Sequence, residues 1–329
     1  MTQMWLYDRQ GTPRPVPPEI AQDPRAALAA ARARGAFLWV GLSNPSLNDI
    51  APFVEAFELH PLAVSDVVTG NQQPKAQSFQ SHLFLSVWSV SDRLLARPGD
   101  VSELFMFVAD DLLLTVVRQE GRATVDLQQM MTSTFASMQE GAIGALYSIM
   151  ACISQQYAAL AGVIETELER LETEVFDAGT TDNAAQIYRL RQQIGRLHRA
   201  VSGLARSLAT SQEHLGELIG RHPQLQPYIA NLLDDIIATG EIISDQSSAL
   251  DSVISSHENN VSSQQNIDTR KISAIAALLS VPAVLAGLAG MNFRNLPGET
   301  WGYGWEALVA LILIIDTAMF LNFKRRNWL

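Results

Sequence analysis

The chain has 329 residues and a formal net charge of −11, from 34 acidic and 23 basic side chains, and one cysteine. So acidic a balance argues against nucleic acid as a partner, which needs a basic footprint, and Cys152 alone excludes an intramolecular disulfide. Residues 270–329 carry a net +3 and the residues before them a net −14, which suits a protein that gathers cations and equally one whose acidity only keeps a large domain soluble.

Residues 1–10 hold no apolar signal-peptide core, so nothing there directs the N-terminus across a membrane. From there to about residue 120 the chain reads as an α/β domain. Apolar runs of strand length recur at residues 4–7, 37–42, 83–90, 104–108 and 112–117, bounded by Gly, Pro, Asp or Asn. Asp23-Pro24 opens a helix with a cap and a first-turn proline, and Gly35 stops it. Residues 46–57 form a second candidate helix. Asp110-Asp111 reads as a tight hairpin turn, so part of the sheet is expected to be antiparallel. The region has no Gly-rich phosphate loop, nucleophile elbow or zinc-type Cys/His spacing, and His60 and His82 read as structural.

From about residue 143 to 220 the composition is helical. Glu165, Glu167, Glu169, Glu172, Glu174 and Asp177 make an acidic stretch, Thr181-Asp182 breaks it, and Arg189, Arg191, Arg196, Arg199 and Arg206 follow. Opposite charges on consecutive helices predict a hairpin with facing pairs; the alternative is two separately solvated faces, and surface pairs contribute little either way. After Pro223 and Pro227 a helical pattern runs uninterrupted for about 64 residues, near 95 Å at 1.5 Å per residue. Leu232, Leu233, Ile236, Ile237, Ile243, Leu250, Val253, Ile254, Val261 and Ile267 give it an apolar stripe. Such a rod needs the preceding hairpin or copies of itself to cover the stripe, which predicts oligomerisation.

Residues 272–291 lack charge and residues 307–323 carry only Asp316, and both lengths match a bilayer crossing. The loop between them holds Pro297, Gly298, Gly302 and Gly304 with Trp301, Tyr303 and Trp305, which is turn chemistry with interfacial anchors. Arg270-Lys271 before the first span and Lys324-Arg325-Arg326 after the second put both flanks in the cytoplasm and the loop outside. The expected organisation is a cytoplasmic α/β domain at 1–140, a helical hairpin at 141–222, a stalk helix at 223–271 and a two-helix membrane domain at 272–329.

Across the water-to-membrane junction Asn266, Thr269, Ser273, Ala276, Ser280, Ala283, Gly287 and Gly290 fall at spacings of three and four, a heptad-like seam of polar and small residues. In lipid such a face either packs against another helix or lines a water-filled path. Asn266, Thr269 and Ser273 at one end and Asn292 at the other favour the path, because several polar groups on one line need water or partners. Pro282 removes a backbone hydrogen bond and predicts a local bend. Ile272 beside the seam is the natural hydrophobic constriction, closing a narrow path by dewetting. Arg270 and Lys271 next to it are either topology anchors that snorkel to the interface or part of a gate.

Gly290-Met291-Asn292-Phe293, the proline-containing loop, Trp301-Gly302-Tyr303 and the ending Phe323-Lys324-Arg325-Arg326-Asn327-Trp328-Leu329 resemble the signature of the CorA family of magnesium and cobalt channels. His60-Pro61-Leu62-Ala63-Val64-Ser65-Asp66 and the stretch opening with Pro74-Lys75 resemble that family's cytoplasmic domain. The resemblance implies transport rather than catalysis, with no organic cofactor. It implies an α+β chain forming a funnel-shaped homopentamer in the plasma (inner) membrane: a cytoplasmic α/β/α domain, a stalk helix continuing into the first membrane helix, and the second helix outside it. It implies selection at Gly290, Met291 and Asn292, a path lined by Asn266, Thr269, Ile272, Ser273, Ala276, Ser280, Ala283 and Gly287, and cytoplasmic Mg²⁺ held between subunits by carboxylates, for which Asp66, Asp234, Asp235 and Asp245 are the candidates.

Three departures stand out. Ala289 occupies the place where the family usually has tyrosine, and Leu296-Pro297-Gly298-Glu299 displaces the acid of the usual Met-Pro-Glu loop by one. Asp316 puts a carboxylate inside a membrane helix, where it serves proton coupling or gating, or else stays neutral or bonded to the first helix. The leading expectation is Mg²⁺ influx, with Co²⁺ or Ni²⁺ as further cargo. Its rivals are proton-coupled Zn²⁺ transport, as in the ZntB branch of the superfamily, and a non-conducting membrane-anchored coiled-coil scaffold or sensor.

Overall fold

The structure is a computed structural model that describes residues 2–8, 11–70, 72–90, 101–119, 125–132, 140–176, 183–210, 220–291 and 302–328. It divides into two compact units, Met1–Val253 and Ile254–Leu329. The first unit is built on strands β1 (Thr2–Tyr7), β2 (Pro13–Pro15), β3 (Phe37–Ser43), β4 (Lys75–Ser78), β5 (Leu83–Val90), β6 (Val101–Ala109) and β7 (Leu112–Gln119). They form one sheet in the order β2-β1-β3-β7-β6-β5-β4. β3 and β7 run parallel and the other neighbours antiparallel, with Asp110 and Asp111 at the tip of the β6–β7 hairpin.

Helices α1 (Pro18–Ala21), α2 (Pro24–Ala33), α3 (Leu47–Phe57), α4 (Pro61–Thr69) and α5 (Leu127–Thr132) fill the connections. Local chemistry sets their ends. The Asp23 carboxylate accepts from Arg25 N and Ala26 N ahead of Pro24, and Gly35 follows α2 at φ +61°. Ser46 and Asp49 form a capping box on α3, and the Ser46 hydroxyl, then its backbone N–H, hold the Asp49 carboxyl below its usual range. His60 caps α4, its Nδ1 accepting from Leu62 N at 3.3 Å.

Alternate strand residues face opposite ways. Leu38, Val40, Phe84, Phe105, Phe107, Leu114 and Val116 pack with Leu28, Ile50, Phe53 and Val67 of α2, α3 and α4 into one core. Against the sheet also lies α6 (Gly141–Phe176), which touches β3, β5, β6 and β7 and buries Ile149, Ile153, Tyr157 and Ile164. Burial on both faces explains why β5 and β7 read as continuous apolar runs rather than alternating ones. Two polar ties lock this arrangement: Trp39 Nε1 donates to Thr115 Oγ1 at 3.0 Å, and the Tyr157 hydroxyl donates to Trp88 O at 2.6 Å.

The acidic α6 and basic α7 (Ala184–Thr210) pack together. Arg170 nevertheless pairs with Glu167 and Glu174 of its own helix, at 2.6 and 2.7 Å, so part of the acidic stretch is matched locally instead of across the hairpin. The long helix α8 spans Gln226–Ala289, 64 residues that pass through Pro282. In the first unit most of its apolar stripe is covered: Leu232, Ile236, Ile243, Leu250 and Val253 are buried while Ile237 is exposed, and Gln246 Nε2 donates to Ala161 O of α6 at 2.9 Å. Farther along, Val261 and Ile267 are exposed.

His60 and His82 are structural, stacked on or tilted against Phe79, with His82 also against Phe107. Burial, and then the charge of His60, push the His82 imidazole down to about 4. A base kept neutral by the fold contributes stability that is fully present above its unfolded value of about 6.5 and is lost as pH falls toward the folded value. The thermal midpoint of the full chain in detergent should therefore fall between about pH 6.5 and pH 4.5. His82→Gln should make that decline shallower; an identical slope would contradict the assignment.

Candidate functional site

The second unit contains the end of α8 and all of α9 (Gly304–Arg325). Of the apolar window in α8 only 6% is buried, and of that in α9 none, which separates both from core helices of a soluble domain. Their lengths suit a bilayer.

The membrane part of α8 has two distinct faces. Ala274 is fully buried, and Leu278, Val281 and Leu285 below it are half-buried. The seam of Asn266, Thr269, Ser273, Ala276, Ser280, Ala283 and Gly287 is exposed along its whole length, and Ile272 beside it is 68% exposed. At 100° per residue the two lines lie roughly 140° apart. On α9, Leu308, Ile312, Ile315, Asp316, Met319 and Phe323 are half-buried at three- and four-residue spacing. Each helix thus has one sheltered stripe, and the stripe sheltered on α8 is not the polar one.

The seam presents oxygen acceptors. Asn266 Nδ2 donates to Ser262 O at 3.0 Å, which leaves its amide oxygen as the remaining acceptor, and the Thr269 hydroxyl donates to Gln265 O at 2.7 Å. A Cβ at Gly287 would meet nothing within 4 Å, and one at Gly290 would meet only Ala286 O and Gly287 O at ordinary contact distance. Among the described residues nothing forces glycine at either position. Gly290 N donates to Ala286 O at 3.0 Å and Met291, exposed, follows the helix end. Asn292 and Glu299 lie outside the described residues.

Asp316 Oδ1 is shielded and has no hydrogen-bond partner among the described residues, and Glu306 Oε2 in the first turn of α9 is the same. Sequence reading singled out Asp316 and passed over Glu306, whose signal was its place one acidic residue into an otherwise apolar helix. The basic tail has a defined geometry. Asn327 at φ +53° closes α9 in a Schellman motif, with Trp328 N donating to Phe323 O at 3.0 Å and Asn327 N to Lys324 O at 3.2 Å. The Trp328 and Phe323 rings stack at 5.6 Å, the apolar contact that accompanies such a cap.

The four regulatory candidates are not gathered in one chain. Asp66 is bound by Lys75 Nζ at 2.6 Å, Asp235 accepts from Asn231 Nδ2 at 3.0 Å, and Asp234 and Asp245 are exposed on α8. Among the described residues no three His, Cys, Asp or Glu side chains come together as a metal site.

A mixed-sheet domain on a chain that ends in two unburied apolar helices defines a membrane protein with a large extramembrane part. The profile of the CorA-like Mg²⁺ transporter protein family matches residues 34–325, and the chain belongs to that family. It is 20% identical to the cobalt/magnesium transport protein CorA of Thermotoga maritima over 293 residues, 88% of this chain and 83% of that one. The CorA magnesium transporter of Methanocaldococcus jannaschii shares the fold with a TM-score of 0.73 at 15% identity, covering 100% of this chain and 99% of that one. The ZntB cytoplasmic domain of Vibrio parahaemolyticus follows with 0.58 at 11% identity over 79% and 98%.

The tail geometry is testable. Asn327→Gly, which keeps the left-handed position, should leave thermal stability within a few tenths of a kcal/mol, whereas Asn327→Val should cost about 1–2 kcal/mol. Equal midpoints for the two variants would contradict the cap.

Proposed function

We propose that copies of this chain assemble as a homopentamer around α8 and carry Mg²⁺, with Co²⁺ or Ni²⁺ as further cargo, into the cell along the seam. The observation that carries this reading is the exposure of the seam beside a sheltered apolar stripe on the same helix. Exposed serine oxygens at membrane depth need water or partners, and copies arranged around a water-filled path, with Asn266 and Thr269 leading into it, supply both. Gly287 and Gly290, which no described residue requires to be glycine, fit a narrow passage.

In this reading a ring of Asn292 side chains at the outer mouth, with Gly290 and Met291 setting its position, offers amide oxygens to the water shell of the cation. Mg²⁺ gives up that shell reluctantly, so selection acts on the hydrated ion. Ile272 side chains form the hydrophobic constriction, with Arg270 and Lys271 adjacent. Glu299 in the outer loop attracts cations. Cytoplasmic Mg²⁺ closes the path through carboxylates of neighbouring copies. Asp234, Asp235 and Asp245 are available for that on the surface of α8, while Asp66 would first have to leave Lys75. Both termini lie in the cytoplasm.

Asn292→Ala should nearly abolish Mg²⁺ flux into liposomes while the oligomer stays intact by size-exclusion; unchanged flux and selectivity would remove the path from this helix. A second reading, proton-coupled Zn²⁺ uptake, is favoured by one observation, the unpartnered Oδ1 of Asp316. Under the Mg²⁺ reading, flux in Asp316→Asn is independent of a pH gradient. Loss in that variant of a Zn²⁺ uptake that the gradient drives would favour the second. A scaffold or sensor has no need of the seam.

A further inference from the structure

Both apolar helices of the second unit end on cations at one boundary of the bilayer. Arg270 and Lys271 come just before the uncharged run of α8, and Lys324, Arg325 and Arg326 come just after the apolar run of α9. Two successive spans return the chain to the side it left, so these cations share that boundary. We infer that this basic end of the membrane unit binds the headgroup of an anionic phospholipid, with Lys324 and Arg325 as the main contacts and Trp328 beside them.

The cations are exposed and not otherwise employed. Among the described residues none of them has an ion-pair partner. The nearest acids along the chain are Asp268, which accepts from Gln264 Nε2 at 3.1 Å, and Asp316, roughly 12 Å along α9 from Lys324 at 1.5 Å per residue. Asp268 and the carboxylate of a free chain end would together leave a clear excess of positive charge. Nor does the end of α9 need these side chains as caps. Asn322 O and Phe323 O accept from Arg326 N at 3.1 and 3.2 Å, and Lys324 O accepts from Asn327 N at 3.2 Å, so the backbone closes the helix by itself.

Placement favours lipid over protein as the partner. The half-buried stripe of α9 passes through Leu308, Ile312, Ile315, Asp316, Met319 and Phe323. At 100° per residue Lys324 and Arg325 lie roughly 130° to either side of that stripe, on the face turned away from it. On α8, Lys271 lies roughly 170° from the seam and so does not line the proposed path. Trp328 is half-buried and its ring lies within 4° of parallel to that of Phe323. This sets an amphipathic ring beside the cations, at the headgroup level that tryptophan prefers. Clustered Lys and Arg next to a span attract anionic lipid, and guanidinium groups match phosphate oxygens. A phosphate free in solution gains nothing from the indole or from the end of a span, whereas a lipid phosphate already lies at this depth. The inference stands on the two spans and not on the path, so it holds or fails independently of Mg²⁺ conduction.

The test is thermal unfolding of the full chain in uncharged detergent with EDTA, titrated with short-chain phosphatidylglycerol, short-chain phosphatidylcholine or glycerol 3-phosphate. Phosphatidylglycerol should raise the midpoint saturably, as a ligand of the folded state does, and phosphatidylcholine should not. Lys324→Gln/Arg325→Gln should weaken the apparent affinity about fivefold or more, because it removes two charge-assisted contacts to phosphate. Each single variant should lose less, and the charge-keeping Lys324→Arg/Arg325→Lys should retain binding. Without lipid the double glutamine variant should melt with the parent. Equal shifts from the two lipids, unchanged affinity in the double glutamine variant, or glycerol 3-phosphate binding as well as the lipid would each overturn the assignment. A double glutamine variant that melts lower without lipid and still responds to phosphatidylglycerol as the parent does would overturn it too, and would give the cations to other copies of the chain.

Discussion

A polar side chain carried into hydrocarbon must find water or a partner, and α8 carries a line of them. That constraint orders the second unit. The helix satisfies its backbone internally, as any spanning helix must, and shelters the stripe through Ala274, Leu278, Val281 and Leu285. It leaves Thr269, Ser273 and Ser280 on the exposed side. Ile275, Leu279, Val284 and Leu288 of the same helix are exposed as well. Apolar side chains left uncovered can meet lipid, whereas the polar line needs water or other copies.

The first unit solves a different problem, how to hold a rigid mixed sheet in a strongly acidic chain. Several of its cations meet backbone carbonyls or single carboxylates: Arg118 on the end of α4, Arg32 and Arg221 on Asp111 and Asp110 at the β6–β7 tip, Lys75 on Asp66. These pairs are partly exposed and each contributes little to stability. Their value lies in fixing where strands and helices end.

Much of this was legible in the residues. Apolar runs of strand length marked the five central strands, and three- and four-residue spacing the long helix, whose 64 residues run from Gln226 to Ala289. β2 and β4 were not legible, because Pro13–Pro15 and Lys75–Ser78 are short edge strands without apolar alternation. α4 was not foreseen, because its valines favour strands over helices and only the His60-Pro61 start marks it. The parallel pairing of β3 with β7, which sets Leu38 beside Leu112, 74 positions along the chain, leaves no local signal at all. In the candidate path the seam was legible from spacing; which face of α8 is sheltered required the structure.

The account stands on the claim that the seam faces water in the assembled protein. The most direct measurement is thiol accessibility in a Cys152→Ser background, with single cysteines at Ser273, Ala276, Ser280 and Ala283 on the seam and at Leu278, Val281 and Leu285 on the sheltered stripe, using a water-soluble thiol reagent on protein in liposomes. The account predicts labelling confined to the seam positions, with loss of Mg²⁺ flux as they react. Labelling of the stripe in place of the seam, or seam labelling that leaves flux untouched, would contradict it.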